Sequence, residues 1–384
     1  MALVPFAYHR RSLWARKVTT LATLGGIALV VFVFSTVLML AAGVESTLAA
    51  TGHADNAMAL RKGASAELQS LLACDAVQAL TVDPAIVRDA RGPLVSAELV
   101  VLLALERAGG GRANVTLRGL GPRGLDVHEE AQITDGRMLI PGRAEVVIGS
   151  TLLGRFAHAS LGEQLRLGRR EFRIVGVLQA RGSAFESEIW GSADELMPAF
   201  SRTAFSSVTA RLQPGALADF VRRLDADPRL SAEARSELGY YGDQSRGLAL
   251  FVRILGLFLA VVFSVGAMIG AMMTLYAQVD ARRKEIGTLH ALGFARSAIL
   301  VGFLAEALLL ALSGGAIGLA ASSLMGHASF SIMNLATVSE VVFHFRLTAR
   351  IALAALGFST VIGLLGGLPP ALRAARTPLL DVLR

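Results

Sequence analysis

Four long, almost uncharged apolar runs stand out from the rest of the chain. They lie at 18–44, 250–279, 297–326 and 350–372, and the third holds one acidic residue, Glu306, in its interior. A helix needs about 20 apolar residues to cross the hydrocarbon core of a bilayer. Each run is longer than that, so the pattern predicts four transmembrane helices, one near the start of the sequence and three towards its end.

The first run follows a basic segment, residues 1–17, as a secretory signal does. The apolar part of a cleaved signal is only about 7–15 residues long, however. The 27 residues of the run at 18–44 are nearly twice that number. An uncleaved anchor is therefore favoured, preceded by a short amphipathic N-terminal segment at 1–17.

The stretch between the first two runs, residues 45–249, consists of short patterned segments separated by Gly and Pro. Runs rich in β-branched residues predict strands at 112–120, 144–149, 171–179 and 206–212. Apolar positions at helical spacing predict helices at 65–80, 149–157 and 216–227. A stretch of roughly 200 residues is long enough to bury its own core, so we expect an α+β domain.

Basic residues are unevenly distributed among the segments between the apolar runs. Residues 1–17, 280–296 and 373–384 together carry 11 Lys and Arg against 3 acidic residues, whereas 45–249 carries 23 against 25. Cytoplasmic loops of membrane proteins carry the excess of basic residues. The distribution therefore predicts that both termini and 280–296 are cytoplasmic, and that 45–249 and a short loop at 327–349 lie outside. The formal net charge of +7 is explained by this bias and does not indicate nucleic-acid binding.

Composition agrees with a membrane protein, since 53% of the 384 residues are hydrophobic and 17% are charged, against about 25% charged in an average soluble domain. The single cysteine, Cys74, excludes an intrachain disulfide. The sequence contains no HExxH, GxSxG or GxxxxGK[ST] motif. His53, His128 and His158 stand singly, as packing or surface histidines do. We therefore expect no catalytic, cofactor or metal site on this chain, which is not predicted to be an enzyme.

The segment at 280–296, DARRKEIGTLHALGFAR, combines helical spacing with a polar face. Ile286, Leu289 and Leu292 recur at helical intervals, and Gly293 is placed where the end of a helix favours glycine. The polar side is supplied by Arg282, Arg283, Lys284 and Glu285, and Asp280 is spaced to pair with Lys284. Three aliphatic residues form a small face for a lipid surface, so a groove of a partner protein is favoured as the docking site over anionic headgroups.

These segments together resemble a known family. RxxEIGTLxALG, followed by an apolar run with an inner Glu and a Gly-Gly-x-x-Gly cluster, is similar to FtsX/MacB-type ABC transporter permeases. The closing PALRAARTPLLDVLR (370–384) resembles the terminal signature of that family, and GRMLIPGRAEVVIG (136–149) and GSAFESEIW (182–190) resemble its periplasmic core domain. The one-plus-three order of helices matches too, so the resemblance covers essentially the whole chain.

The resemblance implies an α-helical membrane protein with four transmembrane helices and an extracytoplasmic α+β domain of the MacB periplasmic core type. It implies a dimer with a second permease copy or homologue in the bacterial cytoplasmic (inner) membrane. It also implies a cytoplasmic ABC ATPase that holds ATP and Mg²⁺ and receives 280–296 as a coupling helix. A periplasmic adaptor, an outer-membrane channel and membrane lipids are further partners by resemblance. Only 17 residues precede the first run, so we expect a separate ATPase polypeptide.

Two features inside the apolar runs carry predictions of their own. Glu306 lies about 15 Å along a helix from Arg296, and an ionisable side chain at that depth suggests a function. A structural hydrogen bond to a neighbouring helix is favoured for it over a proton or substrate role. Small residues allow close helix approach, and the glycines with this predicted packing role are Gly266, Gly270, Gly314, Gly315 and Gly318. Whether the seam at Gly266 and Gly270 is also the dimer seam is left open.

Tyr240, Tyr241 and Arg246 precede the second apolar run. Two interpretations fit them equally well. One is an outward extension of the second helix that forms a stalk, and the other is an aromatic anchor at the membrane interface.

The predicted function is that of a permease subunit that couples ATP hydrolysis by a separate ATPase to movement of a lipidic, peptide or amphipathic substrate on the outer side. Export and extraction both remain open, and the mechanism implied by the family is mechanotransmission. The alternative is a force-transmitting regulator of a periplasmic cell-wall hydrolase, with no transported substrate. A membrane-anchored adhesin or sensor fits poorly, because it needs neither a four-helix unit nor an amphipathic loop.

Overall fold

A computed structural model describes residues 17–333 and 338–376. The chain divides into two compact units. The helical unit takes the chain up to Ala42, Leu250–Ala328 and the chain from His344 onward, and the α/β unit takes Gly43–Ala249 and Ser329–Phe343. Almost all of the predicted N-terminal segment 1–17 and most of the predicted tail 373–384 lie outside the described residues.

Helices and strands are numbered in chain order. The helices are α1 (Lys17–Ala49), α2 (Cys74–Thr81), α3 (Gly124–Val127), α4 (Ala193–Ala199), α5 (Leu217–Ala226), α6 (Glu237–Ala281), α7 (Arg283–Ala291), α8 (Arg296–Ser323) and α9 (Ala349–Ala375). The strands are β1 (Asn56–Arg61), β2 (Arg88–Asp89), β3 (Gly92–Pro93), β4 (Val95–Glu106), β5 (Arg112–Leu120), β6 (Gln132–Gly136), β7 (Glu145–Gly149), β8 (Gln164–Leu167), β9 (Arg170–Gln179), β10 (Glu188–Ser192), β11 (Ser207–Arg211), β12 (Ala232–Ser236), β13 (Ser329–Met333) and β14 (Glu340–His344).

The four long helices α1, α6, α8 and α9 contain the four apolar runs, and each is long and apolar enough to cross a membrane. Helix α6 begins at Glu237, well before the predicted start at residue 250. Apolar content indicates only the part of a helix that suits lipid, whereas the helix itself continues until its backbone is interrupted. Tyr240 and Tyr241 lie on this continuation and are buried in the α/β unit, so they are not an aromatic anchor at a membrane interface.

The α/β unit is built on a mixed sheet of ten strands in the order β12-β1-β11-β4-β5-β10-β7-β9-β6, with β8 paired to β9. A long antiparallel hairpin of β4 and β5 occupies the middle, from Leu99 opposite Gly119 to Glu106 opposite Arg112. Strands β5 and β10, and strands β7 and β9, run parallel. This sheet and the four long helices confirm the predicted fold class.

Two apolar clusters form the core of the α/β unit. The larger surrounds Phe172 and Ile189, and the other surrounds Phe220 and Leu80. The four predicted strands are confirmed as β5, β7, β9 and β11, and the predicted helix at 216–227 is α5. Strands β7 and β11 are buried along nearly their whole length, as the short apolar, β-branched runs that predicted them indicate.

Two other predicted helices are largely wrong. In place of a helix over 65–80, the chain forms a 3₁₀ turn at Glu67–Gln69, and α2 starts only at Cys74. Over 149–157 the structure has one 3₁₀ turn at Ser150–Leu152. Gly154 follows that turn with φ +68°, a left-handed conformation through which an α-helix does not continue.

The connection between α8 and α9 contains more structure than the predicted short loop at 327–349. Strands β13 and β14 pair with each other, and residues up to Phe343 belong to the α/β unit. Phe343 is fully buried. Glu340 accepts hydrogen bonds from Arg107 at 2.8 Å and Arg155 at 3.2 Å. Two arginines of the α/β unit therefore bind this connection through the Glu340 carboxylate.

Candidate functional site

Helix α7, the short helix between α6 and α8, is the structural counterpart of the predicted coupling helix. It covers Arg283–Ala291, which is shorter than the predicted segment at 280–296. Gly293 has φ +88°, and the amide of Phe294 donates back to the Leu289 carbonyl at 3.1 Å. This is how a left-handed glycine ends a helix. The predicted role of Gly293 therefore agrees with its backbone conformation.

The apolar residues of α7 do not form one exposed face. Ile286 is 1% exposed and packs among Val279, Ile299 and Phe303, with Leu289 partly buried against the same cluster. Leu292, in contrast, is 71% exposed. The prediction that all three aliphatic residues enter a partner groove is therefore wrong for Ile286, because this side chain completes the helical unit's own core.

The outward side of α7 is mainly polar. Its exposed residues include Arg283, Lys284, Glu285, Thr288 and Leu292. Asp280 pairs with Arg283 at 3.0 Å rather than with Lys284 as predicted. The available surface is therefore a small charged patch with one aliphatic residue at its end.

Arg282 was predicted to belong to the same outward surface and instead points inward. Its Nη1 donates to Glu306 Oε2 at 3.0 Å and its Nη2 donates to Glu306 Oε1 at 3.4 Å. The Glu306 side chain is fully buried and that of Arg282 is 9% exposed. The acidic residue within the third apolar run is thus held by a guanidinium 24 residues earlier in the chain.

The glycines predicted to pack helices fall into two groups. A Cβ on Gly318 would lie 2.3 Å from the Ala28 carbonyl oxygen of α1, and one on Gly315 would lie 2.5 Å from Ser359 Oγ of α9. Gly314 likewise faces α1. A Cβ on Gly266 or Gly270 meets nothing within 4 Å. Within the part of the chain that the structure describes, no neighbouring helix packs against those two glycines, so their role in helix packing, in the dimer seam included, stays a prediction.

Gly266 and Gly270 instead border an apolar groove between α1 and α6. The groove has a volume of about 410 Å³ and is lined by residues that include Thr23, Gly26 and Thr274. The hydroxyls of Thr23 and Thr274 are 2.9 Å apart and hydrogen-bonded. The two glycines keep this part of the α6 surface open.

A second buried ionic site lies in the α/β unit around Arg118 of β5. The Arg118 side chain is 1% exposed and forms ion pairs with Glu67 at 2.8 Å, Glu98 at 2.7 Å and Glu188 at 2.8 Å. Trp190 Nε1 donates to Glu188 at 2.8 Å. One guanidinium thus holds three carboxylates, one each from the 3₁₀ turn before α2, from β4 and from β10.

His128 extends this site towards the start of α6. Its Nε2 lies 2.8 Å from Glu98 Oε1, and its Nδ1 lies 3.5 Å from Glu237 Oε1, with both partners fully buried. The ring packs against Phe185 and Trp190, with centroids 5.0 and 5.6 Å away. We call the six ionic residues the Arg118 cluster: Glu67, Glu98, Arg118, His128, Glu188 and Glu237.

The electrostatics of the Arg118 cluster keep His128 and Glu98 charged. Burial opposes charge on His128, but Glu98 and the nearby Glu130 and Glu237 raise its pKa well above the usual range. Burial likewise opposes charge on Glu98, but His128 and Arg118 lower its pKa to about 2. At neutral pH the cluster therefore contains an imidazolium between carboxylates.

Glu237 connects the Arg118 cluster to the chain that leaves α1. Its Oε2 accepts from the His53 amide at 2.9 Å and from Asn56 Nδ2 at 2.8 Å. Gly52 has φ +92°, and a Cβ there would lie 2.6 Å from the Glu237 side chain. The first residue of α6 and the turn after α1 are therefore held together within the α/β unit.

The Arg118 cluster was missed by sequence reasoning, although its central residue carried a signal. Arg118 stands inside the strand pattern RANVTLRGL, near apolar neighbours such as Val115 and Leu117 that are fully buried. A charge within a buried strand requires a partner. Among the described residues, no group of three or more His, Cys, Asp and Glu is arranged to hold a metal ion. The carboxylates of the cluster surround a guanidinium.

Two family descriptions match the chain one after the other. The MacB-like periplasmic core domain matches residues 19–226, and the FtsX-like permease C-terminal region matches residues 257–379. The chain belongs to the MacB/FtsX family of ABC transporter permeases. Family membership and the four apolar helices indicate a bacterial inner-membrane protein.

Several relatives of this MacB/FtsX-type chain are MacB proteins. The macrolide export ATP-binding/permease protein MacB of Escherichia coli (strain K12) is 30% identical over 258 residues, which is 63% of this chain and 38% of that protein. MacB of Shewanella sp. (strain ANA-3) is 27% identical over 425 residues, covering 100% of this chain and 60% of that protein. The chain thus spans less than two thirds of the length of these relatives.

Solved structures of related domains also resemble part of the MacB/FtsX-type chain. The extracellular domain of the transporter YknZ from Gram-positive bacteria has a TM-score of 0.35 and 16% identity, covering 47% of this chain and 100% of that domain. The periplasmic region of MacB from Actinobacillus actinomycetemcomitans has a TM-score of 0.37 and 13% identity, covering 48% of this chain and 90% of that region.

Proposed function

We propose that this chain is a permease subunit that couples ATP hydrolysis by a separate cytoplasmic ATPase to movement of an amphipathic or lipidic substrate on the outer side of the membrane. The observation that carries the proposal is helix α7. It lies between two membrane-type helices, buries Ile286 in their core and presents a polar surface outward. A short helix that is packed in this way can transmit a movement of a bound protein to the long helices.

The outward surface of α7 suits a protein partner better than a lipid surface. Lys284, Glu285 and Thr288 offer both signs of charge and a hydroxyl, and Leu292 offers one exposed aliphatic group. Binding to anionic headgroups favours a surface rich in basic residues with a broad apolar face. The loss of Ile286 to the core makes the apolar face smaller still.

The proposal includes an orientation in which α7 is cytoplasmic and the α/β unit lies outside. Its support is the distribution of Lys and Arg along the chain. The single cysteine, Cys74, is exposed in the α/β unit, so it can report the orientation without further engineering. A membrane-impermeant maleimide should label Cys74 in intact spheroplasts. The variant Cys74→Ser/Thr288→Cys should be labelled only after permeabilisation, and the reverse result would overturn the orientation.

Partners and substrate follow from the family by inference. Two relatives, one from E. coli and one from Shewanella, are named as macrolide export proteins that combine ATP-binding and permease functions. For this chain we propose ATP and Mg²⁺ on the partner ATPase, a second permease copy, and export or extraction as the outcome. A periplasmic adaptor and an outer-membrane channel are included as further partners.

Coexpression with an ABC ATP-binding subunit from the same bacterium tests the proposal. The complex is purified into nanodiscs, and ATPase retention and hydrolysis rate are measured for wild type, Leu292→Asp and Val82→Asp. Leu292 and Val82 are matched, because both are exposed aliphatic residues at the C-terminal cap of a short helix. We expect Leu292→Asp to lower ATPase retention about tenfold, as loss of one exposed hydrophobic anchor does, and Val82→Asp to leave it unchanged.

Two results would contradict the proposal. A wild-type chain that neither retains the ATPase nor alters its hydrolysis rate would show that the chain is not an ATP-coupled permease. Normal coupling that activates a cell-wall hydrolase while no lipid or peptide moves between the membrane and the outside would establish the regulatory function instead.

A further inference from the structure

Arg282 lies at the joint between two helices. Helix α6 ends at Ala281 and α7 begins at Arg283, so Arg282 is the one residue between them. Its backbone has φ −106° and ψ 14°, outside helical values, which lets the chain change direction. Any change in the angle between α6 and α7 involves this residue.

The side chain of Arg282 fixes that joint to a third helix. Both of its terminal nitrogens donate to Glu306 of α8, at 3.0 and 3.4 Å. The guanidinium carbon also lies 6.0 Å from the centroid of the Phe303 ring, one turn earlier on α8. A two-point contact of this kind defines an angle as well as a distance.

An apolar cluster of side chains lies beside the pair. The cluster next to it draws residues from each of α6, α7, α8 and α9, namely Val279, Ile286, Ile299, Phe303, Ala371 and Ala374. Ion pairs in such surroundings seldom add net stability over well-packed apolar residues. Their better-attested contribution is to specify one arrangement among several.

We propose that Arg282 and Glu306 are positioning residues that hold α7 at one angle on α8. A displacement of the outward surface of α7 by a bound protein is then transmitted directly to α8. This inference rests on the proposed function for its purpose. The positioning itself is a property of the chain alone. Ile286 packs α7 against the apolar core, and the ion pair fixes the orientation of α7.

Arg283 provides a matched control. It is the next residue, has the same side chain, and pairs with Asp280 on the surface, where its side chain is 53% exposed. Loss of Arg283 removes a charge from the same helix end without touching α8. A difference between the two arginines therefore reports the contact with Glu306.

Hydrogen–deuterium exchange of the full chain in nanodiscs tests the positioning without a partner. The variants are Arg282→Met, the apolar pair Arg282→Met/Glu306→Leu, the charge swap Arg282→Glu/Glu306→Arg, and Arg283→Met. We expect the first two to speed exchange of the α7 amides about tenfold through local opening, the swap to restore part of the protection, and Arg283→Met to leave it near wild type. Thermal unfolding of the same samples shows which variants fold.

The apolar pair separates positioning from stability. It should unfold at or above the wild-type temperature and yet show fast exchange in α7. In the complex with the ATPase it should retain the ATPase while the hydrolysis rate no longer depends on the permease. Wild-type protection and wild-type coupling in the apolar pair would overturn the proposal and leave the ion pair a structural contact only.

The outcomes also distinguish this inference from the proposed function. Failure of the wild-type chain to bind any ATPase would refute the proposed function, whereas exchange in the chain alone would still decide whether Arg282 positions α7. Fast exchange in Arg283→Met equal to that of Arg282→Met would refute the positioning while leaving the proposed function intact.

Discussion

Two buried arginines, Arg118 in the α/β unit and Arg282 in the helical unit, are neutralised in different ways. Arg118 lies among three carboxylates on parts of the chain far apart in sequence, and His128 adds a second cation. Arg282 donates two hydrogen bonds to a single carboxylate, that of Glu306. The Arg118 cluster thus contains four acidic residues against two basic ones, whereas Arg282 and Glu306 bring one charge of each sign to their contact.

This difference in charge balance determines what each site tolerates. Removing a cation from the Arg118 cluster leaves several buried carboxylates without compensation, and no single further change repairs that. Removing both members of the Arg282–Glu306 pair removes one charge of each sign. The first site therefore contributes to the stability of its unit and to its pH dependence, and the second contributes mainly to geometry.

The largest expected effect is that of Arg118→Met. Loss of one partner from a buried ionic contact costs about 3–5 kcal/mol, and here three carboxylates lose their partner. Urea unfolding of the full chain in detergent, followed by Trp190 fluorescence in a Trp14→Phe background, measures the loss. Arg222→Met, at an exposed arginine beside Asp219, is the control and should change the unfolding free energy by less than about 0.5 kcal/mol. An unchanged midpoint for Arg118→Met would show that the cluster does not stabilise the unit.

The next effect is a loss of α/β-unit stability in acid. The folded-state pKa of Glu98 is about 2, below its ordinary value of 4.5. Glu98 therefore contributes stability that is complete above pH 4.5 and lost as the pH falls towards 2. His128 has a raised pKa, so its contribution to stability is complete below its ordinary pKa of 6.5 and is lost progressively as the pH rises from there through the folded-state pKa.

Urea midpoints measured from pH 7 down to pH 3 check this sign. We expect the free energy of unfolding derived from these midpoints to fall by a few kcal/mol across the acid range, since one unit of pKa shift corresponds to about 1.4 kcal/mol. His128→Gln should weaken the acid dependence, because Glu98 then loses the cation that lowers its pKa. A midpoint that stays constant down to pH 3 would contradict the ionised state assigned to Glu98.

A smaller effect is expected from apolar replacement of both partners in each site. For Arg282→Met/Glu306→Leu the unfolding temperature of the helical unit should equal or exceed that of wild type, because a buried pair replaced by apolar residues is often neutral or stabilising. For Arg118→Met/Glu98→Leu the loss should remain, because Glu67 and Glu188 stay buried without their cation. Equal behaviour of the two double variants would remove the distinction between the sites.

The smallest effect is expected at Arg283. Its pair with Asp280 is exposed on both sides, and exposed pairs contribute about 0–1 kcal/mol. Arg283→Met should leave the unfolding temperature of the full chain within error of wild type, as measured by fluorescence-detected unfolding. A decrease in unfolding temperature as large as that of Arg282→Met would mean that the position of the arginine in the sequence, rather than its burial, determines its contribution to stability.

Local pattern was enough to predict several elements of this protein. The four apolar runs became α1, α6, α8 and α9, because suitability for a bilayer depends on about 20 consecutive residues. The strand predicted at 112–120 coincides with β5, because a short run with β-branched residues between glycines favours a strand through local interactions. Gly293 ended α7 where its lack of a side chain allowed a positive φ.

The misses share a different cause. Glu67 lies in a 3₁₀ turn instead of the α-helix predicted at 65–80, and its carboxylate is bound by Arg118, which lies 51 residues further on. Ile286 and Arg282 leave the predicted partner surface because α8 and α9 offer them a core and a carboxylate. In each case the decisive neighbour is remote in the sequence.

The sequence by itself therefore determined the number and order of the membrane-type helices, the class of the domain between them, and the family. These properties depend on apolar runs, β-branched segments and short motifs, which act over a few to about 20 consecutive residues. Only the tertiary structure decided which charges are buried, which partners neutralise them and which side of α7 is exposed. Those properties depend on side-chain direction at helix joints and on strand pairing between distant segments, because an ion pair forms wherever the fold brings two opposite charges within about 4 Å.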